Sequence, residues 1–336
     1  MKFMFSADWH LSIYSSDKLH PESKLPERLH HIKNSIIYMC EYAVRNFITK
    51  FVVGGDVMHT KSIIHADAQS ILLDIVREYS MIDFIIIDGN HDVSSRSGTG
   101  ISALKSLDNE PNVTMIHTTK KIDNILYVPF YKDQITDISL GNRSGVDILV
   151  SHFGLNEGML NSGISIKSEV GVNDLQQYKL VLLGHYHQPQ QIKHVYYVGS
   201  PCQLNWGEKG DEKRFLIVDS DNLDVQSVLI EGYKKHIELE ISSTESKIQI
   251  IEQANQLISE GHAVKIIVKE SIDLDGLQSF NTIDQTEKDI MNRGIDSTMT
   301  LDEKMIEFLE ISEIPKDKWE LYMSVGKRIV GGEIDG

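Results

Sequence analysis

The chain has 336 residues, with 33 Lys and Arg against 49 Asp and Glu and a formal charge of −16; a small stapled scaffold is excluded, and about two domains with a sizeable core are expected. That acidity gives no electrostatic ground for non-specific nucleic-acid or membrane binding, so a DNA substrate would need a local surface, bound cations or a partner to hold it. Cys40 and Cys202 make neither a disulfide framework nor a four-thiolate zinc site, and no apolar run approaches the roughly 18 residues of a transmembrane helix; a cytoplasmic protein without a signal peptide is expected.

Residues 3–8 read as a short buried strand, followed by a polar loop from Ser12 to Lys24. Pro26 then opens a helix to about Phe47, with Leu29, Ile32, Ile36 and Met39 at helical spacing. Phe51-Val52-Val53 is a second strand ending in Gly54-Gly55-Asp56. An amphipathic helix with Ile64, Ala68, Ile71, Leu72 and Ile75 on one face follows it. A third strand, Phe84 to Ile87, runs into Gly89-Asn90-His91-Asp92. This alternation of strand and helix predicts an α/β fold. Beyond Gly98 the pattern is richer in strands, with candidates at 113–117, 124–130, 146–150, 180–183, 195–198, 214–218 and 225–230. The sum predicts two sheets packed face to face with helices outside, occupying residues 1–231.

From Gly232 the character changes. His236 to Ile241, a helix over 244–259 begun by the Ser242/Glu245 capping-box spacing, and Ala263 to Val268 form a strand-helix-strand unit. Residues 232–273 are too few for an independent domain and read as a small α+β cap; 274–299 is polar and irregular, a linker. Two short amphipathic helices are expected over 300–336, one opened by Thr300 and Glu303 and one after Pro315 with Trp319, Tyr322, Val325 and Ile329. Their apolar faces call for burial on a partner protein or, failing that, on the chain's own core.

Of the 14 histidines, His10, His59, His91, His152, His185 and His187 differ from the rest, each lying within three residues of Asp, Asn or Gly at the end of an apolar run. The other eight, His117 among them, read as ordinary surface or hydrogen-bonded residues. Ligands of open α/β sheets bind outside the carboxyl ends of the strands, where such loops converge. Convergence would gather Asp8, Asp56, Asn90 and several imidazoles in one pocket. A mixed nitrogen and oxygen donor set suits manganese, iron or zinc better than magnesium or calcium, and it is too large for one ion. Two ions about 3.5–4 Å apart, bridged by a carboxylate, form the clamp used to hydrolyse phosphate esters; Asp56 is the bridging candidate. Neither a phosphate-binding G-x-x-x-x-G-K-[ST] loop nor a G-x-S-x-G nucleophile elbow is present, and Ser97-Gly98-Thr99-Gly100 reads as a helix opening.

The ordered set Asp8-x-His10, Gly55-Asp56, Gly89-Asn90-His91-Asp92, His152 and Gly184-His185-x-His187 resembles the calcineurin-like metallophosphoesterase superfamily. Within it, His59, Gly199-Ser200-Pro201, Gly207-Glu208 and the cap with terminal helices look most like the SbcD-type DNA repair nucleases, especially phage recombination endonuclease subunits. Ser12 stands where the family often has glycine, and Met58 where it often has an aromatic residue. The resemblance implies that Asp8, His10, Asp56 and His187 hold one manganese ion and Asp56, Asn90, His152 and His185 the other. It also implies that His91 meets the scissile phosphate or protonates the leaving oxygen, that Asp92 orients its ring, and that His59 helps place DNA. A DNA nuclease with exonuclease and endonuclease capacity is expected, working in DNA repair and recombination as a dimer with an SbcC-type SMC-like ATPase. The alternatives are a phosphoesterase of small nucleotides or phosphomonoesters and a non-catalytic scaffold.

Overall fold

The computed structural model describes residues 1–14, 17–60, 63–95, 99–140, 145–159, 168–270, 273, 275–284, 302, 305–306, 308–309 and 314–330. It divides into two units, Met1–Ile237 with Ile258–Ala263, and Glu238–Leu257 with Val264–Gly336. The first holds the two expected sheets, each of six strands.

In one sheet β1 (Lys2–Ser6), β2 (Lys50–Val53), β3 (Asp83–Ile87) and β4 (Val113–Ile116) run parallel in that order. β11 (Arg214–Asp219) pairs antiparallel with β1, and β12 (Asp224–Leu229) closes the edge. The other sheet is built on parallel β6 (Ile125–Val128), β7 (Ile148–His152), β8 (Leu180–Gly184) and β10 (Val195–Tyr197). Its edges are antiparallel β5 (Lys120–Ile122) and β9 (Gln190–Ile192).

Parallel strands covered on both faces need apolar side chains on both, which is why these segments read as unbroken apolar runs. Along β3 the alternation is visible: Phe84 and Ile86 join the core beneath the helices, while Ile85 and Ile87 join the core between the sheets. Phe3 and Phe5 fill that inter-sheet core with Ile148, Val150, Leu180 and Leu182. Each such side chain contributes about 1.5–3 kcal/mol on burial. A third cluster, including Leu149, Val181, Leu183 and Tyr186, covers the outer face of the second sheet.

Helix α1 (Glu27–Arg45) buries Leu29, Ile32, Ile36, Met39, Cys40 and Ala43, one stripe at i, i+3, i+4 and i+7. Acidic Glu27 in its first turn and basic Arg45 in its last complement the helix dipole. Helix α2 (Ala66–Glu78) packs by Ala68, Ile71, Leu72, Ile75 and Val76. Ile64, assigned to that face in the sequence, precedes the helix and is exposed. A short α3 (Gln134–Ser139) was not expected.

In the second unit β13 (His236–Ile241), α4 (Thr244–Ser259) and β14 (Ala263–Val268) follow one another, and β15 (Asn281–Asp284) pairs parallel with β14. β15 lies in the stretch read as linker; the rest of that stretch after residue 284 falls outside the described residues, as do Thr300 and Glu303. Helix α5 (Trp319–Val330) follows Pro315, and Leu321 and Tyr322 on it are exposed. Among the described residues no helix is long and apolar enough to cross a membrane.

Candidate metal centre

Five of the parallel strands, β1, β2, β3, β7 and β8, end where polar side chains turn into one pocket. The loops after β1 and β2 stay zipped beyond the strands: Asp8, His10 and Leu11 N–H donate to the carbonyls of Gly55, Asp56 and Val57 at 3.0, 3.0 and 2.8 Å. Four residues here hold left-handed backbone without being glycine: Asp8 (φ 55°), His10 (φ 49°), Asp56 (φ 53°) and His185 (φ 101°). Such conformations cost of order 1–3 kcal/mol each and persist where surrounding structure over-determines them. Two glycines let the loops approach. A Cβ at Gly89 would overlap the backbone N and Oδ1 of Asp56, and one at Gly184 would overlap the Gly54 carbonyl.

The side chains meet as follows. Asp56 Oδ2 lies 3.3 Å from His152 Nε2 and 3.7 Å from His10 Nε2, while its Oδ1 accepts the His91 N–H at 2.7 Å. Asn90 Oδ1 is shared by His152 Nε2 at 3.1 Å and His185 Nδ1 at 3.0 Å. His10 Nε2 is 2.9 Å from His187 Nε2, and its Nδ1 is 3.1 Å from His59 Nδ1. Asp8 accepts the His185 N–H on both oxygens. Three groupings have donor atoms all within 4.8 Å: Asp8, His10 and His187; Asp8, Asp56 and His152; and His10, His59 and His91. Seven nitrogen- and oxygen-bearing side chains from five strand ends, with no sulfur among them, fit divalent cations of the manganese, iron and zinc kind.

Burial opposes charge throughout, and neighbours decide the balance. Burial works against ionisation of Asp56, yet His152, His10 and His91 hold its carboxyl far below the usual range. Burial pushes Asp8 up to about 6 against the pull of His152 and His187. His152 is burdened by burial but raised to about 9 by Asp56. Burial, aided by neighbouring imidazoles, takes His185 and His59 down to about 4, so both keep a free lone pair at neutral pH.

Asp92 corrects one expectation. Its oxygens accept the N–H groups of Val57 (3.2 Å), Met58 (2.8 Å) and Gly89 (2.9 Å), so it staples the β2 loop to the β3 loop rather than orienting the His91 ring. The ring is oriented by His59, whose carbonyl accepts from His91 Nδ1 at 2.6 Å. The family resemblance implied a contact between the two side chains, but the Asp92 oxygens are taken by backbone N–H groups and His91 Nδ1 by the His59 carbonyl.

Residues 1–189 match the family described as calcineurin-like phosphoesterase. The chain belongs to that family. The family description is that of a phosphoesterase, and the donor groupings above fit divalent cations. The chain is 27% identical over 235 residues to exonuclease subunit 1 of Enterobacteria phage T4, which covers 66% of this chain; the chain spans 65% of that relative's length. Solved structures similar to this calcineurin-like phosphoesterase include a dimetal phosphatase from Danio rerio (10% identity, 68% of this chain and 99% of that one, TM-score 0.42). An archaeal phosphodiesterase is also similar (13% identity, 68% and 99%, TM-score 0.34).

Residues without an assigned role in the sequence support the loops from behind. Buried Glu208 accepts from His187 Nδ1 at 2.9 Å. Asp88, immediately before Gly89, accepts from Ser102 Oγ at 2.6 Å and pairs with His117 Nδ1 at 2.6 Å, while Asp108 meets His117 Nε2 at 3.0 Å. The hydrogen bond to Asp88 dominates over burial and lifts His117 from about 6.5 to about 9. A histidine raised on folding stabilises below its unfolded value and loses that contribution as pH rises through its folded one. The stability difference between wild type and His117→Gln, read from urea midpoints, is therefore expected to be full below about pH 6.5 and to vanish above about pH 9; a difference independent of pH would contradict the pairing.

Proposed function

We propose that the chain is a manganese-dependent DNA nuclease of the SbcD type, with exonuclease and endonuclease capacity, acting as the nuclease subunit beside an SbcC-type SMC-like ATPase in DNA repair and recombination. The observation that carries the reaction type is the set of strand ends converging around Asp56, with one imidazole, His91, facing the pocket without being needed as a ligand. DNA as the substrate is supported by the similarity to an exonuclease subunit of phage T4.

In this reading Asp8, His10, Asp56 and His187 hold one ion, and Asp56, Asn90, His152 and His185 hold the other. When bound, the pair supplies charge neutralisation at the phosphate oxygens and an acidified water. The protein's own part is positional and protonic. Asp56 stands between the two donor groups; Asp92 fixes the distance between their loops. With His91 Nδ1–H given to the His59 carbonyl, the doubly protonated imidazolium is the form whose Nε2–H would meet a phosphate oxygen and pass its proton to the leaving oxygen. His59, stacked with His91 at 5.3 Å and edge-on to His10 at 5.1 Å, lines the approach of the strand.

The experiment is a comparison of substrates. Manganese-supplemented protein should degrade linear duplex DNA, and cleavage of only a small phosphomonoester or nucleotide would replace this reading with that of a small-molecule phosphoesterase. No hydrolysis of either would favour a scaffold.

The net charge of −16 assigns much of the DNA-holding surface to partners, a homodimer mate and the ATPase. The C-terminal helices are the proposed ATPase anchor, since Phe308, Leu321 and Tyr322 there are 55%, 66% and 47% exposed. Truncation at residue 299 should abolish co-purification with the ATPase and spare metal-dependent cleavage of single-stranded DNA. A truncated chain that still co-purifies would remove the anchor from those helices.

A further inference from the structure

Behind the metal centre lies a buried ion pair that the reaction scheme above does not use. Glu208 and Lys213 have side chains 2% and 0% exposed, with Nζ 2.7 Å from Oε2. Replacing such a pair by apolar residues is often neutral or stabilising, so stability alone is a weak reason for its presence. Its contacts give a better one. Glu208 Oε1 lies 2.9 Å from His187 Nδ1 and 3.2 Å from Asn205 Nδ2. Oε2 faces only donors: Lys213 Nζ, Ser200 Oγ at 3.0 Å and Leu204 N–H at 3.2 Å. Lys213 also donates to the His187 carbonyl at 3.1 Å, to Ser200 Oγ at 2.9 Å and to Asp211 at 3.3 Å.

We propose that Glu208 and Lys213 form a positioning pair that holds His187 in the one tautomer able to ligate a cation through Nε2. The inference rests on the metal-centre reading and deepens it. An ionised carboxylate accepts and never donates, so His187 Nδ1 must carry the hydrogen and Nε2 is left bare. His187 is grouped with Asp8 and His10, and it is its Nε2 that lies 2.9 Å from His10 Nε2. Ligating histidines commonly give their other nitrogen to such a carboxylate, which fixes both tautomer and ring orientation. Lys213 completes the device. Its ammonium, which has only donors, pins Oε2 from behind and grips the His187 backbone, so both ends of the histidine answer to one buried cation.

Lys213 also makes Glu208→Gln more than a loss of charge. The amide nitrogen of glutamine cannot face Lys213 Nζ and Leu204 N–H, since donors would oppose donors. On the other side the NH2 has only the longer, neutral contact from Asn205 Nδ2 to displace, so the amide turns its NH2 toward His187, whose Nδ1 must then accept, and the ring hydrogen moves to Nε2. Glu208→Gln thus points an N–H at the cation position.

The test begins on wild-type, metal-free protein with 15N-labelled histidine in alkaline buffer, where two-bond 15N–1H correlations report which ring nitrogen carries hydrogen. His187 is expected as the Nδ1–H tautomer, and a wild-type Nε2–H tautomer overturns the proposal without any variant. In Glu208→Gln the tautomer is expected to invert. Calorimetric titration with manganese chloride should then show one ion bound as in wild type and the other weakened by about 10–100-fold. Glu208→Leu/Lys213→Met, which removes both buried charges together and leaves His187 Nδ1 without its acceptor, guards against unfolding of the single variant and should share the weakened ion. A folded variant of either kind that binds both ions with wild-type affinity overturns the positioning role. Wild type that binds no manganese fails the metal-centre reading itself, and the inference with it.

Discussion

Asp56→Asn is expected to abolish both tight manganese binding and phosphoester hydrolysis, the largest loss any single substitution should produce. The reason is geometric. Oδ1 of Asp56 accepts the His91 backbone N–H at 2.7 Å, and an asparagine would keep its oxygen there because only oxygen can accept. Its NH2 would then replace Oδ2, the atom 3.3 Å from His152 and 3.7 Å from His10. A neutral donor would stand where an anion faces both donor groups, and a cation on either side would meet N–H dipoles. With Asp56 in both proposed sets, neither ion would have a way round the change. Calorimetry with manganese chloride and a DNA degradation assay read the two losses, with circular dichroism as the check on folding. A folded Asp56→Asn protein that still binds two ions would remove Asp56 from the bridging position.

His91→Asn should separate chemistry from metal binding. The ring is oriented by the His59 carbonyl and is stacked with the His59 imidazole, but its proposed task is at the phosphate. Removing a positioned acid or electrostatic contact of this kind costs about 10²–10⁴-fold in rate. The expected result is a fall of that size in kcat with manganese stoichiometry and affinity unchanged. A His91→Asn protein that loses an ion would make His91 a ligand, in keeping with its grouping near His10 and His59. One with unchanged kcat would leave it no part in the reaction.

How much of this was readable in the chain depended on burial. Phe84 to Ile87 and Leu180 to Leu183 announced themselves because parallel strands packed on both faces require unbroken apolar runs, and the residues that end those runs were thereby marked as pocket residues. Asp8, Asp56, Asn90, His152 and His185 stood out in that way. The edge strands Lys120–Ile122 and Gln190–Ile192 did not, since one side of an edge strand meets water and tolerates Lys and Gln. The turn joining β9 to β10, Lys193-His194, carries no Gly, Pro, Asn or Asp; Lys193 nonetheless takes φ 55°, so the usual turn signals were silent.

The support behind the site was hidden for a different reason. Lysine is almost never fully buried unless paired, and nothing local to Lys213 reveals that Glu208 and the His187 carbonyl close over it. Asp92 misled because the family resemblance implied a task shared with His91. Its oxygens are occupied by three backbone N–H groups from two loops, a contact that exists only once β2 and β3 lie side by side.

Two divalent cations on either side of Asp56 would be seen most directly in a crystal grown with manganese and measured at the manganese absorption edge. Two anomalous peaks are expected, one against Asp8, His10 and His187 and one against Asn90, His152 and His185, with Asp56 between them. A single peak, or density away from these side chains, would contradict that arrangement.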